Sequence, residues 1–403
     1  MKKKIIIIIF IIFIILALIP LFYFGYKKYQ EYREEQRIKN AKIVVNLKDN
    51  LKVTYDTKLK ISDLIEYING EIIHDTYLDT ADLGKKKVNF KYINEENITI
   101  PYSFNYEVID DIEPIIWLND TYSVKLGTKS DLKSMIMSGD YIDDNPNREI
   151  IGEYDFNKLG NYNLTYRVTD KSGNIATKDF TLIVKNNSSS YNPKKINYTD
   201  IIKEYKKDNV YVGLDVSKWQ GNIDYKKVSE SNVDFVMIKV GGSNSNGYYL
   251  DPKFKDNIEG FLEQGIPVGV YFYSNANSIK EAEKEALWTL EQIKDYDITL
   301  PIAFDWENWS NFNNYGMSFK TLSNCADSFI KTVEKEGYKG ILYSSKNYLL
   351  KIWNTMGNNV WLAHYTDKTD YTGDFIMWQL TSGGVIPGIT ENTVDVNILY
   401  RNN

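Results

Sequence analysis

Cysteine is almost missing from this chain of 403 residues: the single copy, Cys325, rules out an intramolecular disulfide and a disulfide-stapled scaffold. Cys325 falls between apolar positions of a predicted helix, where a free thiol is expected to be buried. Histidine is as scarce. His74 and His364 stand far apart, so a zinc site built on His and Cys is not expected, and only an all-oxygen ligand set stays open. No metal and no cofactor are expected. Positive charge is not in excess either: 48 Lys and Arg against 54 Asp and Glu leave a net charge of −6, which offers no footprint for nucleic acid. A hydrophobic content of 43% and a charged content of 25% are those of ordinary globular matter. At roughly 100–200 residues per domain, the length suggests two to four domains.

What is present begins with an apolar run over residues 5–24, free of charge and broken only by Pro20. About 20 residues at 1.5 Å rise span the ~30 Å hydrocarbon core of a bilayer. Signal peptides carry apolar stretches of about 7–15 residues, and no small-residue cleavage site follows. An uncleaved membrane anchor is therefore expected over 1–25. Lys2, Lys3 and Lys4 precede the run and Lys27, Lys28 and Arg33 follow it, so the positive-inside rule is nearly balanced. The bulk of the chain lies after the run. The simplest topology is a single-pass cell-membrane protein with a cytoplasmic tip and its body on the extracellular, wall side.

A charged, helix-prone stalk follows over 26–42, and then short alternating strands. Leu83-Gly84 with Val88, Phe90 and Tyr92 is matched 76 residues later by Leu159-Gly160 with Leu164, Tyr166 and Val168. Each triplet alternates as a half-buried strand requires. Two small all-β sandwich modules are expected, 43–110 and 111–186. Spacers are the plain reading of them, with weak binding to wall polymer as the alternative, and Asp143 and Asp144 read as solvated loop acids. Residues 187–209, with Asn187-Ser188-Ser189-Ser190 and Pro193, have the composition of a linker.

From residue 210 to 403 strands and helices alternate, as in a parallel sheet or barrel. Strands are expected at 211–216, 235–240, 267–273, 300–306 and 340–344. Helices between them place Ala282, Ala286, Leu290 and Ile293 on one face, and Leu322, Ala326, Phe329, Ile330 and Val333 on another. Three further strands at 360–365, 375–380 and 393–397 lack long helices between them. The expected architecture is an irregular, TIM-like (β/α)5β3 barrel. Reactive groups of such barrels gather at the C-terminal strand ends, where Asp215, Asp305, Glu307 and Asp395 fall. Asp305 and Glu307, two apart on a strand, should leave the same face. Two carboxyls in one apolar-walled mouth cannot both ionise cheaply, which supplies a proton donor near neutral pH. Glycosidic cleavage needs such an acid beside a second group at the oxocarbenium-like centre.

Gly213-Leu214-Asp215-Val216-Ser217-Lys218-Trp219-Gln220-Gly221 resembles the opening strand of the glycoside hydrolase family 25 lysozymes. Ile223-Asp224-Tyr225, Val233-Asp234-Phe235-Val236, Gly269-Val270-Tyr271 and Phe304-Asp305-Trp306-Glu307 continue the pattern in order. Trp361-Leu362-Ala363-His364-Tyr365, Trp378-Gln379 and Val394-Asp395-Val396-Asn397 complete it. The resemblance implies a metal-independent N-acetylmuramidase acting on peptidoglycan glycan strands. It implies Glu307 as general acid/base and Asp305 as its helper, orienting the acetamido group or tuning Glu307. Asp215 and Asp395 would line the same mouth, and Tyr271, Trp361, Tyr365 and Gln379 would shape the sugar site. His364 reads equally as a site-edge donor or a structural residue. One departure stands at Lys239-Val240-Gly241-Gly242-Ser243, where the family commonly has a Glu-Gly segment. The second module resembles bacterial immunoglobulin-like surface modules through Asp111-Ile112-Glu113-Pro114, Leu159-Gly160-Asn161-Tyr162 and Asp170-Lys171-Ser172-Gly173-Asn174. A family 18 chitinase-like barrel would carry acids at positions 303 and 300, which here are Ala303 and Leu300. A catalytically dead wall-binding protein is the rival of another class. Retaining, inverting and acetamido-assisted routes all remain open from the residues alone.

Overall fold

The computed structural model describes residues 22–186 and 193–401, which form two compact units, one up to Ile112 and one from Glu113 onward. The apolar run expected to anchor the chain lies outside the described residues up to position 21. Among the described residues, no helix is long and apolar enough to cross a membrane. Residues 22–40 are helical.

The first unit holds a four-stranded sheet in the order Lys52–Thr54, Thr99–Ile109, Gly84–Asn94, Gly70–Ile73, with a two-stranded pair of Val45–Leu47 and Ile65–Ile68. The second unit opens with the same plan. Its sheet runs Thr121–Lys125, Ile175–Lys185, Gly160–Thr169, Asn147–Ile151, and its pair is Ile115–Ile116 with Ser138–Gly139. The internal repeat thus surfaces as two equivalent hairpins, each starting at the repeated glycine. Phe90 and Tyr92 are buried in one, Leu164, Tyr166 and Val168 in the other. Their period-two spacing puts all of them on the covered face.

The rest of the second unit is a closed barrel. Its strands are β1 (Val210–Val216), β2 (Val236–Asn244), β3 (Val268–Tyr273), β4 (Ile302–Asp305), β5 (Gly340–Ser345), β6 (Val360–Ala363), β7 (Met377–Val385) and β8 (Val394–Tyr400). Helices α1 (Tyr225–Ser229), α2 (Phe254–Glu263), α3 (Ile279–Ile293), α4 (Phe319–Lys335) and α5 (Lys346–Lys351) follow the first five strands in turn. Strands β1 to β7 pair in parallel, and β8 closes the ring antiparallel to both β1 and β7.

Strand alternation builds two cores. Val212, Leu214 and Val216 of β1, Ile302 and Phe304 of β4, and Val394, Val396 and Ile398 of β8 face outward into the helix-covered core. Ala303, Trp361, Ala363 and Leu399 face inward and fill the barrel with Phe235, Met237 and Tyr343. Each such ring or branched side chain contributes about 1.5–3 kcal/mol by leaving water. Helix α4 buries Leu322, Ala326, Phe329, Ile330 and Val333, and its N-cap Ser318 Oγ accepts from the Thr321 amide at 3.1 Å. Cys325 is buried on the same helix, as expected, and burial pushes its thiol up to about 12.

Two expectations are corrected here. The stretch 187–209 is not wholly linker. Ile196–Asn197 pairs with β7, and Tyr198–Tyr205 is a helix. Tyr198 and Ile201 recur at helical spacing and are buried against the barrel, and the Tyr198 hydroxyl donates to the Val212 carbonyl at 2.8 Å. Nor is Asp143 solvated. Asp143 is buried against Lys171 at 2.8 Å, whereas Asp144 stays exposed as expected, with its Oδ1 accepting from the Ser318 amide at 2.8 Å.

Candidate active site

The inward positions near the strand C-termini carry the polar side chains. Asp215 occupies one on β1. Because β8 runs antiparallel, its beginning lies at the same end, and Asp395 stands directly opposite Asp215 in the ladder. Asp305 is the last residue of β4. The strand expected to continue through residue 306 stops there, so Glu307 sits two residues past the sheet, its carbonyl accepting from the Trp309 amide at 2.7 Å. The reason is Trp306, which leaves the ladder to pack among Trp309, Phe312 and Tyr315, with ring centroids 4.8, 5.9 and 5.2 Å away.

All eight residues expected at the site line one cavity of about 220 Å³: Asp215, Asp305, Glu307, Asp395, Tyr271, Trp361, Tyr365 and Gln379. Ser217, Trp219, Lys239, Tyr273 and Tyr343 complete it. His364 stays outside, its Nδ1 3.0 Å from Thr369 Oγ1. In the sequence Lys239 stands out only as part of an atypical segment, and Tyr273 and Tyr343 carry no motif of their own. Their inward positions at the C-terminal ends of β3 and β5 were the available signal.

A hydrogen-bonded girdle fixes one wall. Gln379 Oε1 accepts from Tyr343 Oη at 2.9 Å and Tyr365 Oη at 3.1 Å, so its Nε2 must donate, and it does so to Asp215 Oδ2 at 2.9 Å. Asn397 Nδ2 donates to the same oxygen at 2.8 Å, and Trp361 Nε1 donates to Asn397 Oδ1 at 2.8 Å. These donors partly offset the burial that lifts Asp215 from 3.8 to about 6.

The other carboxyls are less satisfied. Asp305 Oδ1 and Asp395 Oδ1 are buried without a hydrogen-bond partner. Burial first, and Glu307 next, push Asp305 well above the usual carboxylate range. Burial raises Glu307 too, against the nearby Tyr343 hydroxyl and the charge of Lys239. Burial also raises Asp395, with Asp215 and Glu307 adding to it. Four carboxyls thus share a mouth in which, among the described lining residues, Lys239 is the one cation. They cannot all be ionised, so the cavity holds protons at neutral pH. Glu307 is the carboxyl most open to solvent, whereas Asp305 lies buried beside it. A proton bound for a ligand in the cleft leaves most directly from Glu307.

The atypical 239–243 segment has a steric reason. A Cβ on Gly242 would lie 2.6 Å from the Tyr273 carbonyl oxygen and 2.7 Å from the Tyr249 hydroxyl. Next to it, Ser243 Oγ donates to Glu285 Oε1 at 2.5 Å, and Ser274 Oγ donates to Glu285 Oε2. Glu285, on α3, lines a second and larger cavity of about 930 Å³ that shares Tyr273 with the first. Burial raises Glu285 from 4.5 to about 7. The folded state therefore keeps a proton that the unfolded chain gives up between pH 4.5 and 7, and stability falls as pH rises through that window. The loss amounts to at most about 3 kcal/mol. Urea unfolding of Glu285→Gln at pH 5 and pH 8 is expected to show a smaller difference than the parent by that order. Equal differences would exclude the assignment.

A barrel closed by an antiparallel last strand, with an acidic mouth whose carboxyls retain protons, holds groups suited to general acid/base chemistry. Residues 214–389 match the family model described as glycosyl hydrolases family 25. The chain is 25% identical over 181 residues to the autolytic lysozyme of Clostridium acetobutylicum, covering 44% of this chain and 52% of that protein. It is 25% identical over 197 residues to lysozyme M1 of Streptomyces globisporus, covering 44% and 64%. Among solved structures, a family 25 glycosyl hydrolase from Bacillus anthracis matches at 23% identity and a TM-score of 0.42, over 54% of this chain and 96% of that one. The chain spans about half the length of the autolytic lysozyme it matches.

Proposed function

We propose that the barrel hydrolyses the β-1,4 bond between N-acetylmuramic acid and N-acetylglucosamine in peptidoglycan. The observation that carries this is the Asp305–Glu307 pair, one carboxyl buried with an orphan oxygen, the other open to the cleft, both held toward the protonated form. Glu307 donates its proton to the leaving glycosidic oxygen. Asp305 Oδ1 accepts from the N–H of the 2-acetamido group, whose carbonyl oxygen attacks the anomeric carbon with overall retention. Asp215, fixed by Gln379 and Asn397, and Asp395 face the developing positive charge. The test is mass analysis of soluble fragments from purified peptidoglycan. Muramic acid at the reducing end is expected, and no release where a related lysozyme works would refute the activity. An inverted first product would refute the acetamido route.

Trp219 stands at the rim, 64% exposed, with Lys218 Nζ 4.9 Å from its ring centroid. An apolar ring held open there suits the face of a sugar. Trp219→Ala is expected to raise KM roughly 5- to 10-fold with kcat within about twofold, the signature of binding lost equally from ground and transition states. Steady-state kinetics on soluble glycan strands decide it.

The run 5–24 is proposed as a single-pass membrane anchor, with the bacterial immunoglobulin-like modules and barrel on the wall side. Support comes from its length and lack of charge. Such a tether restricts the enzyme to adjacent wall, which suits local remodelling. Protease added to intact cells is expected to cut the barrel; protection until lysis would reverse the topology.

A further inference from the structure

We infer that the module at 113–186 is a brace for the Glu307 loop, with Trp117 and Asn313 as its positioning residues. Glu307 lies beyond the end of β4, so the sheet ladder does not hold it. Its backbone is anchored through the neighbouring Trp306, whose Nε1 is buried without a hydrogen-bond partner. That indole is fixed by shape alone, through Trp309, Phe312 and Tyr315 of the following turn. The turn in turn is fastened to the module.

Three kinds of contact do the fastening. Asn313 enters the module like a piece of backbone. Its Oδ1 accepts from the Ser138 amide at 3.0 Å, and its Nδ2 donates to the carbonyls of Ile136 at 2.7 Å and Lys133 at 3.1 Å. These two carbonyls lie at the short helix Leu132–Met135, and Asn313 gives them donors. Next, Trp117 stacks on Tyr348 with centroids 4.5 Å apart, Tyr348 stacks on Trp309 at 3.9 Å, and Trp309 meets Trp306 edge-on. An aromatic column therefore runs from the module to the residue between Asp305 and Glu307. Finally, the Phe319 and Lys320 amides at the start of α4 donate to the carbonyls of Asp140 and Tyr141. Gly139 lets the faces close, since a Cβ there would lie 2.7 Å from both the Phe312 and Phe319 rings. A spacer would not supply hydrogen bonds to the loop that carries the proton donor.

The consequence is kinetic. Displacing a reacting group by about 1 Å costs on the order of 100-fold in rate. In the full-length protein, Trp117→Ala with Asn313→Ala is expected to lower kcat roughly 10- to 100-fold on soluble glycan strands, with KM within about twofold. The pH profile should shift, because Glu307 changes its distance to Tyr343 and Lys239. Trp117→Phe, which keeps the stack, should retain most of the activity. Amide exchange of the peptide over 306–316 should quicken in the Ala variants, and this readout needs no activity. If the double variant fails to fold, Trp117→Ala alone carries the test, since that side chain is only partly buried. Unchanged kcat, pH profile and exchange would overturn the brace, as would a rise in KM alone. The rate arm rests on the muramidase reading: an inactive parent protein condemns that reading, whereas an active parent with indifferent variants condemns the brace.

Discussion

Replacing Glu307 by Gln is expected to lower kcat by about 10³-fold while KM stays within roughly threefold. The substitution keeps shape and hydrogen-bonding capacity but removes the transferable proton. Glu307 opens on the cleft, and no other carboxyl there combines a raised protonation range with the same access. The pH dependence follows the same group. Activity needs the protonated acid, so it declines as pH rises through a pKa that burial has lifted above that of a free glutamate. In the Gln variant the residual activity should lose that alkaline limb. Reducing-end release from purified peptidoglycan across pH 4–9 (roughly the span set by free and perturbed carboxyls) measures both. Wild-type-like turnover in the Gln variant would remove Glu307 from the chemistry.

The barrel was legible in the sequence because its strands and helices obey different periods. All eight strands were anticipated within a few residues, since each is an apolar run bounded by turn residues. The acids were legible because they interrupt those runs at one end. Asp215 follows Val212 and Leu214, and Asp305 follows Ile302 and Phe304, which alternation sends to the opposite face. The features without a local signal depend on partners remote in sequence. The helix at Tyr198–Tyr205 follows text rich in Ser and Asn and reads as linker until the barrel wall that buries it is known. Lys239 looks like an ordinary strand cation until Asp305 and Glu307 are placed around it. Asp144 is exposed as its sequence suggests, but its hydrogen bond to the Ser318 amide, 174 residues further on, has no local signal. The docking of the second module is likewise absent from any local pattern, because Trp117 and Tyr348 acquire meaning only as a stack.

Asp305→Asn is expected to be nearly as severe as the change at Glu307, a loss of about 10²–10³-fold in kcat, and to carry a second signature. The orphan Oδ1 of Asp305 sits in a buried wall where an unmet acceptor costs roughly 1–3 kcal/mol. An acetamido N–H arriving with substrate would satisfy it, and as positive charge grows on that nitrogen a carboxylate holds it far better than an amide does. Binding should therefore suffer less than turnover. The coupling between the two acids adds the pH effect. Glu307 is one of the groups that raise Asp305, and such a repulsion acts on both members of a pair. With a neutral Asn beside it, Glu307 surrenders its proton at lower pH, so the alkaline limb of kcat/KM should move toward acid. A nucleophilic Asp305 predicts a different result. Asparagine would then abolish the covalent route, and a glycan lacking its 2-acetamido group would remain a substrate for the parent enzyme. Failure of the parent on that glycan, together with an acid-shifted limb in Asp305→Asn, assigns Asp305 to orienting the acetamido group; turnover of the de-acetylated glycan at the normal rate assigns it to direct attack.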